Sequence, residues 1–396
     1  MITINKERLE RNLKALGQIG FEAGLGLNRP AYSENYTLAR NFVEQAMKQA
    51  GMETRIDSVG NVFGVLKGAD EKKTILLGSH LDAVPNGGIY DGSMGVIAAV
   101  EAVQAIKEAG MKLNHSLEVA GFTSEEGSEL GGTFGSRSFV GKAAATAKPE
   151  ILRKFGLTLS DVEQAQGELE RYRCYLELHI EQGPVLWQRQ IPIGIPTAIA
   201  GITRYTIAIY GRANHAGTTP MDARQDAMRK ATNVLKKWYD FASEQHEFVS
   251  NIGVLSISPG TTTIVPEKVE FILEIRAVDE SSTRLATDTF REILTSSCPE
   301  KHTMELLIEK PPVKLDAELI MTVETTCNEA GIPYIKMPSG ASHDASPIAH
   351  VMPTGMIFVP SIDGISHSIE EYTPFADICV GVDVLISSIL KVDACL

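Results

Sequence analysis

What limits the fold of this chain most is where its reactive side chains fall. His80, Asp91, Glu125, Glu126, His179 and His367 all lie at or just after the C-terminal ends of short apolar segments. Segments 74–77 (TILL), 116–123 (SLEVAGFT), 174–180 (CYLELHI) and 356–359 (MIFV) have the length and content of buried strands, and stretches of helical period separate them. In an open α/β sheet the ligand crevice lies outside the carboxyl ends of the strands, so strands distant in sequence can deliver side chains to one place. Each residue alone has a plainer reading. His80 and Asp82 are two apart and face one side of an extended segment, so the carboxylate could fix the imidazole tautomer, yet a lone loop histidine is also usual. Asp91 precedes Gly92 and the periodic run Val96, Ile97, Val100 and Val103, which equally suits a simple N-cap. Glu125 and Glu126 point to opposite sides of an extended segment, one toward a metal and one toward an open face, or else form a solvated acidic loop. Gathered on one sheet edge without cysteine, the histidines and carboxylates make a site suited to zinc, with manganese, cobalt or nickel as substitutes.

The 396 residues, 43% of them hydrophobic, can bury a sizeable core and suggest two domains. Residues 57–66 read as a strand with a turn at Gly60-Asn61, expected beside 74–77, and residues 146–170 as surface helices. From about Ala200 the pattern becomes strand 202–210, helix 222–241, strands 248–257 and 268–277, helix 280–297 and strand 302–308, the β-α-β-β-α-β order of a ferredoxin-like unit. Pro192 and Pro196 precede it and Pro311-Pro312 follow. The expected fold is therefore α/β: a mixed-sheet domain with helices on both faces, formed by residues 1–199 and 314–396, with an inserted α+β domain over 200–313. No apolar run approaches the ~20 residues of a membrane span, and the opening MITINKERLERNLKAL has no signal-peptide core. Five scattered cysteines without C-x-x-C spacing fit a reducing, cytoplasmic setting. A net charge of −13 with no basic cluster argues against nucleic-acid or anionic-membrane partners. The glycine-rich 131–141 has neither the phosphate-loop nor the dinucleotide order.

The ordered motifs GSHLDAVPNGGIYDGSMGV, SEEGSELGGTFGSRSFVG, LELHIEQGP, ANHAGTTPMDARQDA, SGASHDA and GISHSIEE together resemble the N-carbamoyl-L-amino-acid amidohydrolase and allantoate amidohydrolase family of aminoacylase-like dinuclear metallohydrolases, from about residue 25 onward. That resemblance implies two divalent cations per subunit, one on His80, Asp91 and His179 and the other on Asp91, Glu126 and His367, with Asp91 bridging. It implies Glu125 as general base, Asp82 orienting His80, and substrate contacts from Gln182, His215, Thr263, Arg276 and His343. Thr263 stands where the family usually has asparagine, and Glu129-Leu130 where Arg-Phe is common. The inserted domain would act as lid and dimer interface, with His215 reaching the partner's site in a homodimer.

The chemistry implied is hydrolysis of a ureide. Amides and ureides are poor electrophiles, so cleavage needs an activated water and a polarised carbonyl, which two cations supply. Glu125 would shuttle the proton, Arg276 would pair with the substrate carboxylate, and His215 would stabilise the oxyanion. The expected substrate is a small N-carbamoyl-L-amino acid; allantoate or another ureido acid is the near alternative, and a catalytically silent small-molecule-binding paralogue the distant one. No G-x-S-x-G elbow supports a serine hydrolase.

Overall fold

A computed structural model describes residues 2–394, the side chains of Glu71 and Lys72 excepted. The chain separates into two compact units, one comprising the residues up to Thr197 and from Lys314 onward, the other Ala198–Val313.

In the first unit, helices α1 (Lys6–Gln18) and α2 (Glu34–Gln49) precede strands β1 (Glu53–Ile56), β2 (Val62–Leu66) and β3 (Asp70–His80). Helix α3 (Ser93–Glu108), strand β4 (His115–Phe122), the short helix α4 (Phe134–Phe139) and strands β5 (Tyr172–Ile180) and β6 (Ile193–Ile199) follow. The nine-stranded mixed sheet runs β6, then a strand at Thr354–Val359, β5, β3, β4, β2 and β1, with two short strands beside β6. Its centre is parallel: His80 of β3 is level with Phe122 of β4, and His179 of β5 with Phe358. Parallel neighbours end on the same side, so the polar residues closing each strand share one edge.

Both sheet faces are covered. On β5, Cys174, Leu176, Leu178 and Ile180 join the main core with α3 residues such as Val96, Val100 and Val103. The intervening Tyr175 packs with Phe122, Phe139 and Tyr172 in an aromatic layer on the other face, where Glu177 and His179 also point by strand alternation. Of the expected strand 57–66 only Val62–Leu66 is strand (β2), and β1 ends before it at Ile56, because the Asp57 carboxylate accepts the amides of Val59, Gly60 and Asn61 and turns the chain. Nor does β2 lie beside β3. It pairs antiparallel with β4, which separates the two, since residues 67–69 cross beneath the start of β4 through Ala69 N to Leu113 O and Asp70 N to Asn114 O.

The second unit has strand β7 (Gly201–Tyr210), helix α5 (Ala227–Ala242), strands β8 (Phe248–Ser258) and β9 (Lys268–Ala277), helix α6 (Glu280–Ser297) and strand β10 (His302–Lys310). The sheet order β8-β9-β7-β10, all antiparallel, is the ferredoxin-like arrangement. Strand β9 alternates buried Val269, Phe271, Leu273 and Ile275 against half-exposed neighbours, and its buried side packs on Trp238 and Phe290 of the two helices. The chain returns to the first unit through α7 (Ala317–Ala330), β11 (Tyr334–Ser339), β12 (Thr354–Val359) and α8 (Phe375–Ala394). Among the described residues no helix is long and apolar enough to cross a membrane.

Candidate metal centre

Asp91 is where the sheet edge converges. Its Oδ1 lies 3.5 Å from His80 Nε2 and 3.3 Å from His179 Nε2, and its Oδ2 lies 3.1 Å from His367 Nε2. His367 Nε2 is in turn 3.5 Å from Glu126 Oε1. Two triads result, His80-Asp91-His179 and Asp91-Glu126-His367, each with its donor atoms within 4.8 Å of one another and each able to hold a metal ion. A third group, Glu177-His179-His343, meets the same distance but is already partnered, since Glu177 accepts Ser79 Oγ and Ala345 N, and His343 Nε2 pairs with Ser339 Oγ.

The histidines are presented for ligation. His80 Nδ1 sits 3.0 Å from the Asp82 carbonyl oxygen and His179 Nδ1 2.9 Å from that of Ile180. A carbonyl only accepts, so each Nδ1 donates its proton there and each Nε2 is left facing the cluster, where a bound cation would take its lone pair. His179 Nε2 and Glu126 Oε1 are buried without a hydrogen-bond partner. His179 Nε2 and Asp91 Oδ1 are thus near each other without being directed at each other, as two ligands of one ion would be. Asp91 is not the helix cap. Gly92 takes that position with φ of +61°, and a Cβ there would run into the His80 imidazole.

Asp82 acts differently from expectation. Its backbone carbonyl, not its carboxylate, meets His80; the carboxylate accepts the amides of Glu125 and Glu126, each at 3.1 Å. The physical reason is that the chain turns after β3 and brings the carbonyl back over the ring, leaving the carboxylate to span to the next strand end. Gln182, expected at the substrate, donates from Nε2 to Asp91 Oδ2 at 2.8 Å. His343 is buried, edge-on to His179 with ring centroids 4.5 Å apart.

With this geometry in place, the sequence matches the Peptidase family M20/M25/M40 over residues 76–391. The chain belongs to that family. An N-carbamoyl-L-amino acid amidohydrolase of Geobacillus stearothermophilus is 36% identical over 96% of this chain and 97% of its own length. An allantoate amidohydrolase of Escherichia coli K12 is 33% identical, covering 97% of each. A crystal structure of a hydantoinase/carbamoylase family amidase from Burkholderia multivorans superposes with a TM-score of 0.89 at 29% identity, over 100% of this chain and 99% of that one. This M20/M25/M40 chain is accordingly a hydrolase, of the amidohydrolase branch its relatives represent.

The electrostatics of the family member's site call for positive charge. Burial works to raise the Asp91 carboxyl, but the His179, His367 and His80 imidazoles hold it well below its ordinary value. Burial pushes Glu125 well above the carboxylate range, opposed by His80 and reinforced by Asp344 and Glu126. Burial and the Asp91 charge push Glu126 to about 8. Carboxylates crowded this way are relieved by a divalent cation, which the donor atoms of both triads fit.

Three residues of the first unit shape the cluster without having been singled out in the sequence. Glu177, two residues before His179 on the same strand face, ties β3 to residue 345. The fully buried Arg29 donates to the Leu81 and Leu16 carbonyls at 2.8 and 2.9 Å and to Ser93 Oγ at 2.5 Å, and burial lowers its pKa to about 10. Glu371 bonds the amide of Asp91. Only Glu177 carried a signal, the two-residue period of CYLELHI; bonds from side chain to distant backbone leave none.

In the second unit, His215 Nδ1 accepts the amides of Gly217 and Thr218 at 3.1 and 3.2 Å, so its proton resides on Nε2. The Thr263 carbonyl accepts Ala216 N at 2.8 Å, placing Thr263 beside the His215 loop. Arg276 lies at the end of β9 and donates from Nε to Glu274 at 2.8 Å.

Proposed function

We propose that this hydrolase uses two divalent cations to cleave the carbamoyl (ureido) C–N bond of N-carbamoyl-L-amino acids, giving the L-amino acid, carbon dioxide and ammonia. The observation that carries this reading is the pair of triads sharing Asp91, with Glu125 buried beside them and its amide fixed by Asp82. His80, Asp91 and His179 would hold one cation and Asp91, Glu126 and His367 the other, zinc by donor set, with manganese, cobalt or nickel as substitutes. Bound there, the cations supply Lewis acidity, which polarises a carbonyl and lowers the pKa of water to roughly 7.

Glu125 belongs to neither triad, so it is available to take the proton of the attacking water and hand it to the departing nitrogen, worth about 10²–10⁴-fold. In the ferredoxin-like unit, the Nε2–H of His215 is a donor for the developing oxyanion and Arg276, balanced by Glu274, a guanidinium for the substrate carboxylate. Thr263, Gln182 and His343 complete the proposed substrate contacts. A homodimer formed through the ferredoxin-like unit, acting in the cytoplasm on a small ureido acid, goes with this reading. The named activity of the Escherichia coli relative supports allantoate as the second substrate to test.

The test is ammonia release from N-carbamoyl-L-amino acids and from allantoate by the parent and by Glu125→Gln. We expect turnover of the carbamoyl acids, a fall of about 10²–10⁴-fold in the variant, and unchanged metal content. Turnover of allantoate alone selects the second reading, and activity confined to N-acyl amino acids or dipeptides defeats both.

A further inference from the structure

We infer that Glu371 is a positioning residue that sets the Asp91-Glu126-His367 cation site by clamping together the segments that carry Asp91 and His367; the inference rests on the two-metal reading above. Glu371 is buried, and its two carboxylate oxygens divide between those segments. Oε1 accepts the amides of Tyr90 and Asp91 at 3.0 and 3.1 Å, while Oε2 accepts the hydroxyl of Ser366 at 2.8 Å. One carboxylate thus fixes Asp91 at its own amide and, 275 residues away in sequence, the residue preceding His367.

His367 needs such a hold more than the other two histidines. His80 and His179 are anchored through Nδ1 to backbone carbonyls, whereas among the described residues none bonds Nδ1 of His367. Its ring is half exposed, and its backbone adopts φ of +55°, a left-handed conformation that a non-glycine residue keeps only when its surroundings impose it. The placement of that ring therefore depends on its backbone, and its backbone on Ser366. The clamp also has a fitted seat, since a Cβ on Gly88 would overlap the Glu371 carboxylate and its Cβ.

The clamp depends on reach, and reach can be separated from charge. Glu371→Asp keeps the charge but is one methylene too short to serve both segments. Glu371→Gln keeps the length and an acceptor for the two amides, with its NH2 able to donate to Ser366. Gly88→Ala leaves Glu371 in place chemically but displaces it. Calorimetric titration of the metal-stripped full chain with Mn²⁺ should show two binding steps in the parent. In Glu371→Asp one step should weaken by about 10–100-fold while the other stays within about threefold, because only one of the three ligands His80, Asp91 and His179 lies on a clamped segment. Gly88→Ala should reproduce that split, and decides the matter where Glu371→Asp does not fold. Glu371→Gln should bind like the parent. Equal weakening of both steps, no weakening, or a Glu371→Gln as weak as Glu371→Asp would overturn the clamp. A parent that takes up fewer than two Mn²⁺ would instead remove the two-metal reading beneath it.

Discussion

Asp82 shows how one residue can serve a site through two different groups. The carbonyl sets the tautomer of His80, while the carboxylate receives the amides of Glu125 and Glu126 and so fixes the proposed base and a proposed ligand together. These functions can be pulled apart by Asp82→Asn, which leaves the carbonyl untouched but replaces two acceptor oxygens by one. One buried amide then loses its partner, at a cost of about 1–3 kcal/mol, and the Glu125-Glu126 turn shifts. We expect kcat to fall by about 10–100-fold while metal bound through His80 is retained. Release of that metal would mean that the carboxylate, not the carbonyl, governs the imidazole.

At the scale of elements, local signals and remote contacts diverge. Strands and helices with a clean period were readable. The alternation in 174–180 separates Leu176, Leu178 and Ile180 from Tyr175, Glu177 and His179, and the sheet assigns these sets to opposite faces. The ranges 268–277 and 280–297 coincide with β9 and α6, because alternating burial and an aspartate cap mark them in the sequence itself. Neighbour choice was not readable. Sequential strands usually pair, yet β4 lies between β2 and β3, and nothing in residues 67–69 announces the crossing. The loops of the candidate site were hardest. The bond from Glu371 to the Asp91 amide and those from Asp82 to two amides join segments dozens to hundreds of residues apart and follow no period. The cap of α6 offers a test at this scale. Asp279 accepts Ser282 N and Ser282 Oγ, each at 2.8 Å, and the Ser281 hydroxyl; these bonds, the Ser281 hydroxyl foremost, depress its pKa to about 2. A carboxylate with a folded pKa below its unfolded value stabilises the fold above the unfolded value, and loses that contribution as pH falls toward the folded one. Asp279→Ala should therefore cost about 1 kcal/mol at pH 7 and less at pH 3, in urea unfolding followed through Trp238. A cost that grows on acidification would show that the ionised cap is not what stabilises α6.

Each unit has a main hydrophobic core of its own, and all proposed metal ligands belong to one of the two units. A cation that binds only folded protein stabilises it by RT ln(1 + [L]/Kd), about 2.7 kcal/mol at one hundred times Kd. That stabilisation acts where the ligands are. The chain has just two tryptophans, one in each unit. Trp187 in the first is partly exposed and donates to Asp363 Oδ1 at 3.2 Å, while Trp238 in the second is fully buried, stacked on Phe248. Trp238→Phe therefore leaves a reporter for the unit with the ligands, and Trp187→Phe one for the ferredoxin-like unit. Chelating the metal should lower the thermal midpoint seen by Trp187 by several degrees and leave that seen by Trp238 within about one degree. If both midpoints fell together, the two cores would unfold as one body, and the cation's stabilisation could not be assigned to the unit that holds Asp91.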